Sequence, residues 1–72
     1  MAKYKINQLI VEAHTKRRRI YKIIYVTKDM ISVKYNIVNT VTLSQQILNE
    51  DMLNYLFEPY YNYNAVWRDL ND

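Results

Sequence analysis

The sequence has no cysteine and no glycine, one histidine and one proline. Without cysteine there is no disulfide framework, no thiolate zinc site and no thiol nucleophile. Without glycine there is no phosphate-cradling loop of the P-loop or dinucleotide-binding kind. A single histidine, His14, rules out a multi-histidine metal site within one chain. Long apolar stretches are lacking too. The longest purely apolar run is Ile23-Ile24-Tyr25-Val26, far below the roughly 20 residues that a membrane span needs. No secretory signal is visible, so the expected location is the cytoplasm, or the host cytoplasm for a viral protein.

What is present is one small domain. The chain has 72 residues and 8.8 kDa, half of them hydrophobic and 24% charged, a globular composition. A domain of this size buries only about 60% of its unfolded surface. Ile, Asn and Tyr occur eight times each and Lys six times. All four have AT-rich codons, and the association points to a phage, an archaeal virus or a mobile element. Residues 1–48 read as mainly β and basic, and 49–72 as mainly helical, acidic and rich in tyrosine.

Strand signals dominate the first part. From Met30 to Leu43, Ile31, Val33, Tyr35, Ile37, Val41 and Leu43 alternate with Ser32, Lys34, Asn36, Thr40 and Thr42, the period of a half-buried strand. The run exceeds one ordinary strand, and Asn39-Thr40 is the natural break. Arg19 to Thr27 is rich in Ile, Tyr and Val, again strand composition. Lys28-Asp29 between the two runs predicts a two-residue hairpin, with Asp29 tolerating the left-handed backbone that glycine would otherwise supply. Residues 3–14 fit either a bulged strand or one helical face through Ile6, Leu9, Ile10 and Ala13. The strand is preferred because a third strand stabilises an isolated hairpin. Lys16-Arg17-Arg18 then forms the first turn.

The last third reads as helix. Asn49 is the expected cap, with Glu50 and Asp51 in the first turn. Met52, Leu53, Leu56 and Phe57 follow at helical spacing, and Pro59 ends or kinks the helix near Glu58. A start at Thr42, with Gln45 completing a capping box, is an alternative. A second short helix is expected over 65–70. The fold class expected is therefore α+β, a small antiparallel sheet of three or four strands with C-terminal helix packed on one face.

A two-residue turn at Lys28-Asp29 pairs Thr27 with Met30 and Val26 with Ile31. One face then gathers Ile20, Ile24, Val26, Ile31, Val33, Tyr35 and Ile37, with Lys22 the sole intruder. The other gathers Arg19, Tyr21, Ile23, Tyr25 and Thr27 with Met30, Ser32, Lys34 and Asn36. Cations there can neutralise phosphates, tyrosines can stack on unpaired bases, and apolar side chains can wedge between base steps. The residues expected to contact nucleic acid are Lys16, Arg17, Arg18, Arg19, Tyr21, Tyr25, Met30, Ser32 and Lys34. The competing readings are a protein-binding face and an ordinary solvated sheet face.

Met30-Ile31-Ser32 and Tyr35 after a two-residue turn, with Tyr25 before it, resemble the DNA-binding hairpin of the small basic chromatin proteins of hyperthermophilic archaea. That resemblance implies minor-groove contacts by Tyr25, Thr27, Met30 and Ser32. It covers about a dozen residues. The chain lacks the family's glycine-rich turns and its abundance of lysine, and adds a tyrosine-rich tail, so the likeness is one of a hairpin alone.

Catalysis is not expected. Nothing with motif spacing surrounds His14, the acids other than Glu50-Asp51 are scattered, and helix N-terminal acids account for that pair. No metal and no cofactor are expected. Tyr60, Tyr61, Tyr63 and Trp67 are residue types that dominate interfaces. They are read either as completing the core or as a protein-docking or dimer contact. Residues 1–36 hold nine Lys/Arg and two acids, a net of +7, while 37–72 hold one Arg and five acids, a net of −4. Such a dipolar molecule can steer an anionic partner to its basic side or self-associate. The leading expectation is a non-enzymatic nucleic-acid-binding accessory or regulatory protein. The alternatives are a virus-encoded inhibitor docking on a host defence, replication or transcription protein, and a structural dimerisation module. The partners expected are thus nucleic acid or a host protein, with no membrane and a homodimer left open.

Overall fold

Strand β2 (Ile20–Lys28) and strand β3 (Val33–Asn39) form the spine of the structure. The chain is seen as a computed structural model, which describes residues 3–60. Strand β1 (Leu9–Glu12) pairs with β2, and strand β4 (Gln45–Asn49) with β3. Helix α1 (Glu50–Leu56) then leads into strand β5 (Phe57–Pro59), which returns to pair with β1. The result is a five-stranded antiparallel sheet in the order β4-β3-β2-β1-β5, with a helix near the C-terminus packed against it. The expected architecture stands, with one strand more than the upper count, contributed by β5.

Several local expectations change. The helix ends at Leu56 rather than near Glu58, because Phe57-Glu58-Pro59 is recruited as an edge strand. Proline suits that position, since an edge residue can do without an N–H. The alternative helix start at Thr42 is excluded by β4, and Asn49 caps instead, its side chain accepting from the Met52 N–H. Residues 3–14 are neither one long strand nor a helix. Only Leu9–Glu12 is strand, entered through Asn7, which adopts a positive φ of 75°.

The largest change is the β2–β3 register. Lys28 pairs with Val33 and Thr27 with Lys34, so the turn is not the two-residue Lys28-Asp29. Met30 and Ile31 form the tip instead. Asp29 remains at negative φ and acts as an acceptor. Its Oδ1 receives the N–H groups of Ile31 and Ser32 at 2.9 and 2.8 Å, and the Ser32 hydroxyl at 3.1 Å. Asn39 does the same at the β3–β4 turn, accepting from Val41 and Thr42 at 2.9 and 3.0 Å. A chain without glycine thus closes both turns with side-chain oxygens standing in for backbone carbonyls.

Further along β2 the register slips again. Tyr25 pairs with Asn36 but Ile23 with Ile37, leaving Ile24 as an extra residue. A one-residue insertion reverses which side chains face inward. Tyr21 and Ile23 are therefore buried, not outward, and Ile24 and Ile20 are only half-buried. The core comprises Tyr4, Ile10, Tyr21, Ile23, Tyr35, Ile37, Leu53 and Phe57. The rings pack edge-on, Tyr4 with Tyr35 at 5.7 Å and Tyr21 with Phe57 at 5.1 Å between centroids, the geometry that the ring quadrupole favours.

Candidate nucleic-acid interface

Cross-strand partners share a face of the sheet, so the pairing defines what the side opposite α1 displays. One row is Asn49, Lys34 and Thr27; the next is Ile47, Asn36 and Tyr25; the third is Gln45, Val38, Lys22 and Leu9. Two ammonium groups, one phenol and three amides lie on this outer surface, with no carboxylate in the three rows. Tyr25, 58% exposed, stands at the β2 end of the middle row, and Lys34 is exposed in the neighbouring row. Neighbouring rows are close enough for long and aromatic side chains to meet.

The expected site residues are divided by this geometry. Tyr25 and Lys34 share the outer face. Tyr21 does not, because the bulge turns it into the core against Phe57. Met30 and Ser32 belong to the turn rather than to a strand face. Met30 and its neighbour Ile31 are fully exposed, whereas Ser32 is tied to Asp29. The hairpin that carries the chromatin-protein resemblance accordingly has a different turn and register.

Lys16, Arg17, Arg18 and Arg19 lie in the connection between β1 and β2, at the sheet's end, and all four are exposed. Two are engaged. Arg18, held at a positive φ of 50°, reaches Glu58 on β5 at 2.7 Å. Arg19 bonds the buried Glu12 through its Nε. The hydroxyl of Thr15 also donates to Glu12, at 2.6 Å. That hydroxyl, followed by the Arg19 guanidinium, holds the Glu12 carboxyl below its ordinary pKa despite burial. Lys16 and Arg17 make no ion pair among the described residues.

A second anchored carboxylate lies at the start of α1. The Tyr35 hydroxyl donates to Glu50 Oε2 at 2.5 Å, and the Lys3 N–H donates to the same oxygen at 3.2 Å. These bonds, the phenol's first, lower the Glu50 pKa. Burial and the neighbouring carboxylate raise that of Tyr35. Asp29 is lowered by the backbone N–H groups it accepts. Each of these groups has a structural duty. Among the described residues, no group of three or more His, Cys, Asp or Glu could hold a metal ion. His14 stacks beside Tyr55, with centroids 5.1 Å apart.

The sequence reading missed Lys22, Gln45, Ile47 and Asn49 as outer-face residues. For Lys22 the signal was available. A lysine intruding on a predicted core face is costly, and a phase reversal between it and Val26 removes the conflict. Tyr60 is exposed, its N–H bonding the Leu9 carbonyl at 3.1 Å. Tyr61, Tyr63 and Trp67, and the second short helix expected over 65–70, fall outside the described residues. Among the described residues no helix is long and apolar enough to cross a membrane. No family model, no curated protein and no solved structure matches the chain.

Proposed function

We propose that the chain is a non-enzymatic nucleic-acid-binding accessory or regulatory protein, made by a virus or mobile element and acting in the host cytoplasm. The observation carrying this reading is the acid-free outer face of β2, β3 and β4, where exposed Tyr25 stands between Lys34 and Lys22. Tyr25 stacks on an unpaired base, the two lysines neutralise flanking phosphates, and Asn36, Gln45 and Asn49 supply amide donors and acceptors. Lys16 and Arg17 extend the positive field past the sheet's end.

A titration of a fluorescent single-stranded oligonucleotide tests it. Affinity falls steeply as salt rises, and Lys22→Gln with Lys34→Gln lowers the slope of log K against log salt by roughly 1.4, about 0.7 per lost phosphate contact. Absence of binding at low salt, or unchanged binding by these variants, overturns the reading.

The turn between β2 and β3 favours a second reading, docking on a host protein. Met30 and Ile31 project fully into solvent from a loop whose backbone is fixed by Asp29, and apolar side chains on a preorganised loop suit a partner's pocket at lower entropic cost. Met30→Ser with Ile31→Ser removes stoichiometric capture of that partner while leaving oligonucleotide binding intact. Equal capture by the double variant rejects this reading.

A further inference from the structure

The two outer edges of the sheet are unequal. At one edge β5 is three residues long, ends in Pro59, and has Glu58 paired to Arg18. Shortness, proline and charge are the usual guards against strand-to-strand association. The other edge, β4, is Gln45-Gln46-Ile47-Leu48-Asn49, with no charge, no proline and no bulge. Ile47 is 61% exposed at its centre.

The main-chain groups of β4 left without a strand partner among the described residues can be identified. The Asn39 N–H donates to the Ser44 carbonyl at 2.8 Å, which marks Asn39 and Ser44 as a hydrogen-bonded pair. Antiparallel pairs alternate between bonded and non-bonded, so Ile37/Gln46 and Tyr35/Leu48 are bonded pairs as well. Gln46 and Leu48 therefore turn their main-chain groups toward β3. Gln45, Ile47 and Asn49 turn theirs away from it. Asn49 caps α1, so its carbonyl accepts the first helical bond and its N–H remains.

We propose that this edge pairs antiparallel with the same edge of a second copy, about a two-fold axis at Ile47. Three features of the strand choose a second copy as the occupant. Centring on Ile47 sets it opposite its own equivalent as a bonded pair, with two mutual N–H···O=C bonds. The same register brings each Asn49 N–H to the Gln45 carbonyl across the axis, giving four bonds in all. Self-pairing sets every residue of β4 against an uncharged one, avoiding the like-charge opposition that destabilises strand pairs. The interface is isologous and closed, and it joins two five-stranded sheets into one of ten. The two Ile47 side chains cover each other on the outer face. The inference stands on the edge alone and does not depend on nucleic-acid binding.

Sedimentation equilibrium of the full chain without nucleic acid tests the proposal, together with amide hydrogen exchange at several concentrations. The expected mass is twice 8.8 kDa, falling to one chain mass in Ile47→Lys, which places two ammonium groups at the axis. Gln46 and Leu48 amides are protected at every concentration, and Ile47 and Asn49 amides become protected only as the dimer forms. A single-chain mass at all concentrations, or a dimer that survives Ile47→Lys, overturns the proposal. Protection of the Ile47 amide in a monomer also overturns it, because the chain's own residues then occupy the edge. A low circular-dichroism signal in Ile47→Lys would mean misfolding; the exchange pattern of the unaltered protein then decides alone.

Discussion

The inner and outer faces of the sheet use nearly the same residues to different ends. Tyr4, Tyr21 and Tyr35 are buried on the inner side, while Tyr25, from the same strand as Tyr21, is open to solvent. The difference arises at one backbone irregularity. Up to Ile23 the inward phase of β2 runs Tyr21, Ile23; beyond the extra residue Ile24 it runs through Val26. On β2 the role of a tyrosine is thus set by its position relative to the bulge rather than by its neighbours in sequence. Inside, phenols serve structure, as Tyr35 does by accepting from the Tyr4 N–H at 3.2 Å and donating to Glu50. Outside, the ring is available to a ligand.

The strongest challenge to this contrast is the Ile23 and Ile24 pair. Ile23 is wholly buried, so Ile23→Ala should cost about 2–5 kcal/mol in urea unfolding. Ile24→Ala, at a half-buried position, should cost under about 1 kcal/mol, nearer the surface range. The reverse order, with Ile24→Ala the costlier, would restore an unbroken alternation along β2 and remove the division of tyrosines. Next comes Tyr35→Phe, which keeps the ring packing but deletes the hydroxyl between Tyr4 and Glu50, for a loss of about 1–3 kcal/mol by thermal or urea unfolding. On the outer face, Tyr25→Ala should leave unfolding within about 0.5 kcal/mol of the parent protein. It should weaken oligonucleotide binding by about 1–3 kcal/mol, one lost stacking contact. A fall in stability with unchanged affinity would assign Tyr25 to structure instead.

The pH dependence gives the smallest and most diagnostic contrast. Glu12 and Glu50 bind protons less readily folded than unfolded. Their contribution is complete above the ordinary carboxylate range and is lost as pH falls through it toward the folded values. Tyr35 acts in the opposite sense. Its raised pKa gives a contribution that is complete below the ordinary phenol range, about 10, and lost as pH rises through the folded value. Stability measured across pH should therefore decline at both ends. Tyr35→Phe should remove its share of the alkaline decline while the acid limb from Glu12 persists.

The α+β architecture could be read from alternation in 31–37, the strand composition of 19–27 and the Asn49 cap, each a local signal of period or capping. The inward set Val33, Tyr35 and Ile37 followed directly. What escaped were features decided by more than one segment. A bulge leaves no mark in the composition of its own strand, and Lys22 became informative only once set against a partner. Phe57-Glu58-Pro59 continues the helical spacing of Leu53 and Leu56, and only the open edge of β1 makes it a strand. The outer face was half legible. Tyr25 and Lys34 were named, but β4 was not foreseen as a strand, so Gln45, Ile47 and Asn49 had no face on which to be placed. Arg18 and Arg19 were expected to face a ligand, and their acids Glu58 and Glu12 lie 40 and 7 residues away in sequence.

The return of β5 to β1 also governs the order in which the protein can be made. Ile10 pairs with Pro59 and Glu12 with Phe57, so β1 lacks its second neighbour until nearly all the described chain has left the ribosome. The hairpin of β2 and β3 needs only local closure and can form early, whereas joining the ends requires a much longer loop to be fixed first. Until then the nascent chain carries a sheet with two open edges. Completion of the sheet therefore waits on β5, the last of its strands in chain order.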